Sequence, residues 1–209
     1  MVYIGHPSVA LAIVGGDSWE ITTGMGPHLS HLEDESLILQ IKEGKHQAFV
    51  EIVNRHARRF YSIAYRLVFN KDEAEDIVQE AFLKLWDKPE LWDQSRHVKF
   101  TTWFYKVVTN LCIDHNKKKK PLPLSDNLPI RDEQPQQDAL LDHQQKQALL
   151  DNLIQELPER QQLAINLCFY EGLSNKEAAE VMGVKIKVLQ SLIMRAKTAL
   201  KEKVKRYLD

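Results

Sequence analysis

DEAEDIVQEAFLKLW (Asp72 to Trp86) and KFTTWFYKVVTNLCIDHNKKKK (Lys99 to Lys120) are two amphipathic stretches with opposite surface chemistry. In the first, Ala74, Ile77, Val78, Ala81, Phe82 and Leu85 recur at spacings of three and four, which on a helix makes one apolar stripe. Asp76, Gln79, Glu80 and Leu83 fall off that stripe, so the outer face is expected to be acidic and to suit a protein rather than a nucleic acid. In the second, Phe100, Phe104, Val107, Val108 and Leu111 are the expected core positions, leaving Thr102, Trp103, Lys106, Asn110 and Lys117 outward. Rings interleaved with cations fit exposed bases and phosphates, because a ring stacks on an unpaired base while an ammonium neutralises the backbone.

Upstream, helical spacing begins at Leu32 and runs through Leu37, Ile38, Ile41, Phe49, Ile52, Val53, Phe60, Ile63, Ala64 and Leu67, with Glu43-Gly44-Lys45 as a break. Asn70-Lys71-Asp72 closes one helix and opens the next, with Asp72 the expected cap and Glu75 at capping-box spacing. Pro89 ends the acidic helix, and Trp92 to Lys99 reads as a polar loop. The apolar run Val9 to Val14 is short, and no Lys or Arg precedes it, so it lacks the charged start of a signal peptide. Residues 1–30 are expected to be a flexible extension or a mis-called start, with Met25 as the alternative initiator.

Downstream, KPLPLSDNLPIRDEQPQQD carries Pro121, Pro123, Pro129 and Pro135, which cannot continue a helix; 121–145 is read as an acidic, Pro-rich linker. A second helical domain is expected over 146–209. Leu149, Leu150, Leu153, Ile154 and Leu157 form one helix, Pro158 interrupts, and Leu163, Ala164, Leu167 and Phe169 or Tyr170 form the next. In EGLSNKEAAEVMGVKIKVLQSLIMRAKTALKEKVKRYL, Ser174 and Glu177 make a capping box and Gly183 makes a turn. A last helix from about Ile186 turns Leu189, Ile193, Ala196 and Leu200 inward. The pattern is a helix-turn-helix, whose second helix enters a major groove.

Formal net charge is only −1, so the chain is no uniformly basic polyanion binder; its charge is patterned instead. Lys117 to Lys120 are four consecutive cations, and from Lys185 onward eight Lys and Arg face two acids. Two basic surfaces flanking an acidic linker suit a polyanion gripped at two places. Cys112 and Cys168 lie far apart inside apolar helical pattern and read as reduced core residues. The eight histidines show no metal-ligand spacing, no apolar run is long enough for membrane insertion, and no phosphate loop or nucleophile elbow occurs. No metal, no cofactor and no enzymatic activity are expected.

Gln47 to Lys120 resembles the core-binding and promoter-melting domain of sigma-70 family transcription initiation factors, in their extracytoplasmic-function branch. The words AFVEIVNRHARRFYSIAYRL, DEAEDIVQEAFLKLW and KFTTWFYKVVTNLCIDH carry the likeness, in order and at the family's spacing. LPERQQLAINLCFYEGLSNKEAAEVMGV resembles the family's −35-binding domain. The resemblance implies an all-α fold of two small helical domains joined by a flexible linker: 32–120 as sigma region 2 and 146–209 as sigma region 4. It implies that Asp76, Gln79, Glu80, Leu83 and Trp86 dock on the clamp helices of core RNA polymerase. Arg96, Lys99, Trp103, Lys106, Asn110, Lys117 and Lys118 would hold the melted −10 strand. Gln190, Ser191, Met194 and Arg195 would face bases or phosphates of the −35 element, with Lys185, Lys187 and Lys197 on the backbone. Partners would be core polymerase, promoter DNA and an anti-sigma factor, in the cytoplasm. Housekeeping members carry a Trp pair where this chain has Lys106 and Val107, which implies weaker melting and stricter promoter choice. The rival reading is a stand-alone helix-turn-helix regulator that binds duplex DNA as a dimer and has no use for residues 72–110.

Overall fold

The computed structural model describes residues 11–14, 18–21, 29–96, 98–119 and 149–208. Lys120, the linker expected over 121–145 and the candidate start Met25 lie outside the described residues. Among the described residues the architecture is all-α apart from one hairpin, and the chain divides into two compact units, Met1–Asn116 and Lys117–Asp209.

Within the stretch read as a flexible extension, β1 (Leu11–Val14) pairs antiparallel with β2 (Ser18–Ile21), Leu11 opposite Ile21 and Val14 opposite Ser18. Four-residue strands carry too little alternation to register as a pattern in sequence.

The first unit then runs through α1 (Asp34–Lys42), α2 (His46–Val68), α3 (Lys71–Asp87) and α4 (Phe100–Lys119). Two 3-10 turns, Pro89–Leu91 and Gln94–Arg96, occupy the α3–α4 connection. All ten apolar positions from Leu37 to Leu67 picked out by spacing are buried, as are the six of α3. Their centre is aromatic: Phe60 meets Phe104 at 4.6 Å, Tyr105 at 5.0 Å and Phe82 at 6.3 Å between ring centroids. In α4 the inward set differs from the periodic reading. Phe100, Phe104 and Val108 are buried, but so are Thr102 and Tyr105, while Val107 and Leu111 are only half-buried.

Gly44 makes the α1–α2 break with φ +80°, where a side chain would be strained. The α2–α3 junction is also left-handed, but at Phe69, φ +56°. That turn leaves Asn70 extended, and its side chain accepts from the Glu73 amide at 3.2 Å, so Asn70 is the cap and the expectation for Asp72 is corrected. Asp72 instead sits exposed in the first turn, where a carboxylate complements the positive end of the helix.

A half-buried cluster ties α1 to α2. Arg55 donates to Glu51 Oε1 (2.7 Å), to Asp34 Oδ1 (3.0 Å) and to the carbonyls of Leu32 (2.7 Å) and Leu29 (3.1 Å). His56 Nε2 lies 2.7 Å from the other Asp34 oxygen. Burial alone raises the Asp34 carboxyl, but hydrogen bonds and charge from His56 and Arg55 outweigh it and hold the carboxyl below the usual aspartate range. A carboxyl depressed on folding stabilises fully above its unfolded value, roughly 3.9, and that stability is lost as pH falls through the folded value. An Asp34→Asn variant is therefore expected to lose stability relative to wild type at neutral pH and to show a shallower decline below about pH 4. Urea unfolding at a series of pH values checks this; parallel curves for the two proteins would remove Asp34 as the source.

The second unit comprises α5 (149–155), α6 (Glu159–Ile165) widening into a π turn over Asn166–Tyr170, α7 (Asn175–Val181) and α8 (Ile186–Leu208). Leu153, Ile154, Leu157, Leu163, Leu167, Leu189 and Ala196 are among its buried residues. Of the two rings left open by spacing, Tyr170 turns inward, its hydroxyl donating to Asp151 Oδ1 at 2.7 Å, while Phe169 stays exposed. The Ser174 box is complete: Ser174 Oγ accepts from the Glu177 amide at 3.3 Å, and Glu177 Oε2 accepts from the Ser174 amide at 3.0 Å. Gly183, φ +62°, turns the chain from α7 into α8. Cys112 is buried, which pushes its thiol up to about 12, and burial also raises the half-buried Cys168. Neither is a poised thiolate.

Candidate functional site

Three surfaces hold the residues singled out in sequence. On α3, Asp76 and Glu80 are exposed on successive turns, and Glu80 pairs with exposed Lys84 at 2.8 Å. On the same helix, burial raises the Glu75 carboxyl, and the charges of Asp72 and Asp76 raise it further. Of the remaining members of the expected set, Leu83 lies about 20° round the helix from Asp76, whereas Gln79 and Trp86 turn toward packed sides. Gln79 is 9% exposed and counts with the core. It stands three residues from Asp76, about 60° round the helix on the side that packs. Leu83 is half-buried, and so is Trp86, whose ring stacks on His46 (centroids 4.5 Å, 28°) and meets Phe49 edge-on at 5.2 Å. Trp86 therefore joins α3 to the start of α2 as well as bordering the acidic face.

Lys99, just before α4, and Lys106, Asn110 and Lys117 to Lys119 on it are exposed. Trp103 is half-buried, and its ring rests near Phe100 (6.0 Å) and Phe104 (5.9 Å), so the outer ring is backed by the aromatic core. A ring held in that way can stack on a base without first being ordered. The backbone of Arg96 ends the second 3-10 turn; its side chain lies outside the described residues.

The loop between α3 and α4 holds a residue that spacing missed. Trp92 is 1% exposed, and its indole Nε1 donates to the carbonyl of Val98 at 3.2 Å, closing the loop on itself. A tryptophan inside an otherwise polar stretch was the available signal, because a large ring in a loop needs somewhere to be buried.

Lys185, just before α8, and Lys187, Gln190, Met194 and Arg195 on it are exposed, Met194 at 64%, and Ser191 is half-buried. Leu189 and Ala196 face fully inward, and Ile193 and Leu200 are half-buried, so α8 has one packed side and one presented side. Lys197 is exposed too, but its ammonium lies 4.6 Å from the centroid of the Phe169 ring, at the rim of an apolar hollow of about 330 Å³ that Leu150, Ile154, Ile165 and Leu200 help to line. The cation–π contact gives Lys197 a partner other than phosphate. Among the described residues no helix is long and apolar enough to cross a membrane.

The sigma-70 region 2 family model matches residues 52–121, and the sigma-70 region 4 model matches 147–200. The protein described as ECF RNA polymerase sigma factor SigW of Bacillus subtilis is 31% identical over 179 residues, covering 80% of this chain and 95% of SigW. The structure of CnrH in complex with the cytosolic domain of CnrY is similar in fold, with a TM-score of 0.64, 21% identity and coverage of 83% and 97% of the two chains. The sigma factor RpoE of Bartonella quintana, solved in complex with the anti-sigma factor NepR, has a TM-score of 0.53 at 21% identity, over 82% and 95%. With both regions matched in order along one chain, this protein belongs to the sigma-70 family of RNA polymerase sigma factors, in its ECF branch.

Proposed function

We propose that the exposed acidic face of α3 docks on core RNA polymerase, that α4 and the Trp92 to Lys99 loop hold the melted −10 strand, and that α8 reads −35 DNA. The observation that carries this reading is the separation of chemistry onto three presented faces: acids on α3, a core-backed ring with cations on α4, and a polar and cationic row on α8. Asp76 and Glu80 are the primary docking residues, with Gln79, Leu83 and Trp86 shaping the face from beneath. Lys99, Trp103, Lys106, Asn110, Lys117 and Lys118 line the single-strand path, and Arg96 belongs to its loop. Gln190 suits adenine and Arg195 suits guanine, each by paired hydrogen bonds, while Lys185 and Lys187 suit phosphates. The protein supplies no chemistry of its own; RNA synthesis is the core enzyme's. It acts in the cytoplasm, and the fold neighbour solved with an anti-sigma factor supports an inhibitor of that kind as a further partner.

Retention of the purified chain on bacterial core polymerase, followed by transcription from a genomic promoter library, tests the whole reading. Tight duplex binding without retention on core would favour a stand-alone regulator instead. Within the −35 surface, Arg195→Ala is expected to cost about 1–3 kcal/mol on the selected promoter. Anisotropy titrations on selected and random duplexes check it, and an equal loss on both would assign Arg195 to phosphate alone.

A further inference from the structure

The connection between α3 and α4 is built of two short 3-10 turns, and it is tied to α1 at two points. Lys42, the last residue of α1, donates from Nζ to the carbonyl of Trp92 at 3.0 Å, and its ammonium lies 5.6 Å from the centroid of the Trp92 ring. At the far end, the amide of Phe100 is one of the groups that a helix start leaves without an internal partner. It donates to Glu35 Oε1 at 3.3 Å, 65 residues earlier in the chain. Glu35 sits in the first turn of α1, so a carboxylate from a distant helix serves as the cap of α4. Between these two ties the loop is cross-braced by the indole bond from Trp92 to Val98 and by the Trp92 ring set edge-on to Phe100 at 6.4 Å.

Glu35 and Lys42 stand seven residues apart on α1, about 10 Å along its axis. A rigid helix thus fixes two points of a loop that would otherwise have to be ordered by its ligand. Ordering before the ligand arrives removes an entropic cost from binding and holds polar groups at fixed positions, which is how a loop comes to discriminate between bases.

We infer that Glu35 and Lys42 are positioning residues for −10 recognition: α1 splints the 92–99 loop, and base discrimination at −10 depends on that splint although neither side chain touches DNA. The inference rests on the proposed role of this loop in holding the −10 strand.

The test uses the full chain reconstituted with bacterial core polymerase, on a promoter selected by the wild-type holoenzyme and on the same promoter with single −10 bases changed. The readout is the ratio of open-complex formation on the two templates. Lys42→Met is expected to lower that ratio about tenfold, and Lys42→Arg, which keeps a cationic donor, to restore most of it. Glu35→Ala is expected to lower the ratio as well, whereas Glu35→Gln, which keeps an acceptor oxygen, retains it. Core retention and −35 duplex binding should stay within about twofold of wild type, since the splint's loss is local. Wild-type ratios in both Lys42→Met and Glu35→Ala would overturn the inference alone. Loss of core retention in step with the ratio would also overturn it, by making the effect one of folding. A wild-type holoenzyme indifferent to the −10 base would overturn the underlying reading of the loop and the splint with it.

Discussion

A Glu80→Arg variant is expected to lose about 100-fold or more in affinity for core polymerase while keeping its fold, because placing a like charge at a charged interface costs several kcal/mol. The fold should survive, since Glu80 is exposed and pairs with Lys84, 2.8 Å away on the next turn. An exposed pair of that kind contributes about 0.3–0.5 kcal/mol, and two cations in its place cost a similar amount. Burial is the main cause of the raised Glu75 carboxyl, but the neighbouring charges of Asp72 and Asp76 add to it, and a cationic partner would relieve that repulsion. Reversal at Glu80 both removes that relief and presents the partner with a repelling charge. Titration of labelled protein with core, alongside circular dichroism, reads the two effects separately. Unchanged affinity would take the α3 face out of the interface.

Phe60→Ala is the substitution expected to cost most stability, about 3–5 kcal/mol. Phe60 is fully buried and touches rings on two other helices: Phe82 of α3, and Phe104 and Tyr105 of α4. Truncation leaves a cavity at the junction of three helices, and rigid neighbours collapse into it only partly. Phe104 in turn backs Trp103, so the loss reaches the presented face of α4. Urea unfolding of the first unit should show a lower midpoint with little change in slope. A cost below about 1 kcal/mol would mean that the cluster repacks freely and that Trp103 is held by something else.

Local order was legible in the sequence because its causes are local. Helical spacing from Leu37 to Leu67 and from Ala74 to Leu85 marked positions that are all buried, since an apolar stripe repeats within four residues and needs no knowledge of its partner. The Ser174–Glu177 box and the turn at Gly183 were readable for the same reason. Asn70 against Asp72 was decided by the left-handed turn at Phe69, a backbone state that a phenylalanine does not announce. Gln79 lay at the edge of the stripe, where the width of the packed side and not the spacing determines burial. Thr102 and Tyr105 went inward because α4 is covered over a wider arc than its most apolar residues define.

The sequence by itself determined the family, the all-α class and the three chemically distinct faces, because each is written in residue types a few positions apart. Only the tertiary structure decided that Lys42 reaches Trp92 across 50 residues, that Glu35 caps α4 across 65, and that Lys197 is engaged by Phe169. Such pairs depend on which helices come side by side. That is settled by packing of the whole core and has no periodic signature along the chain.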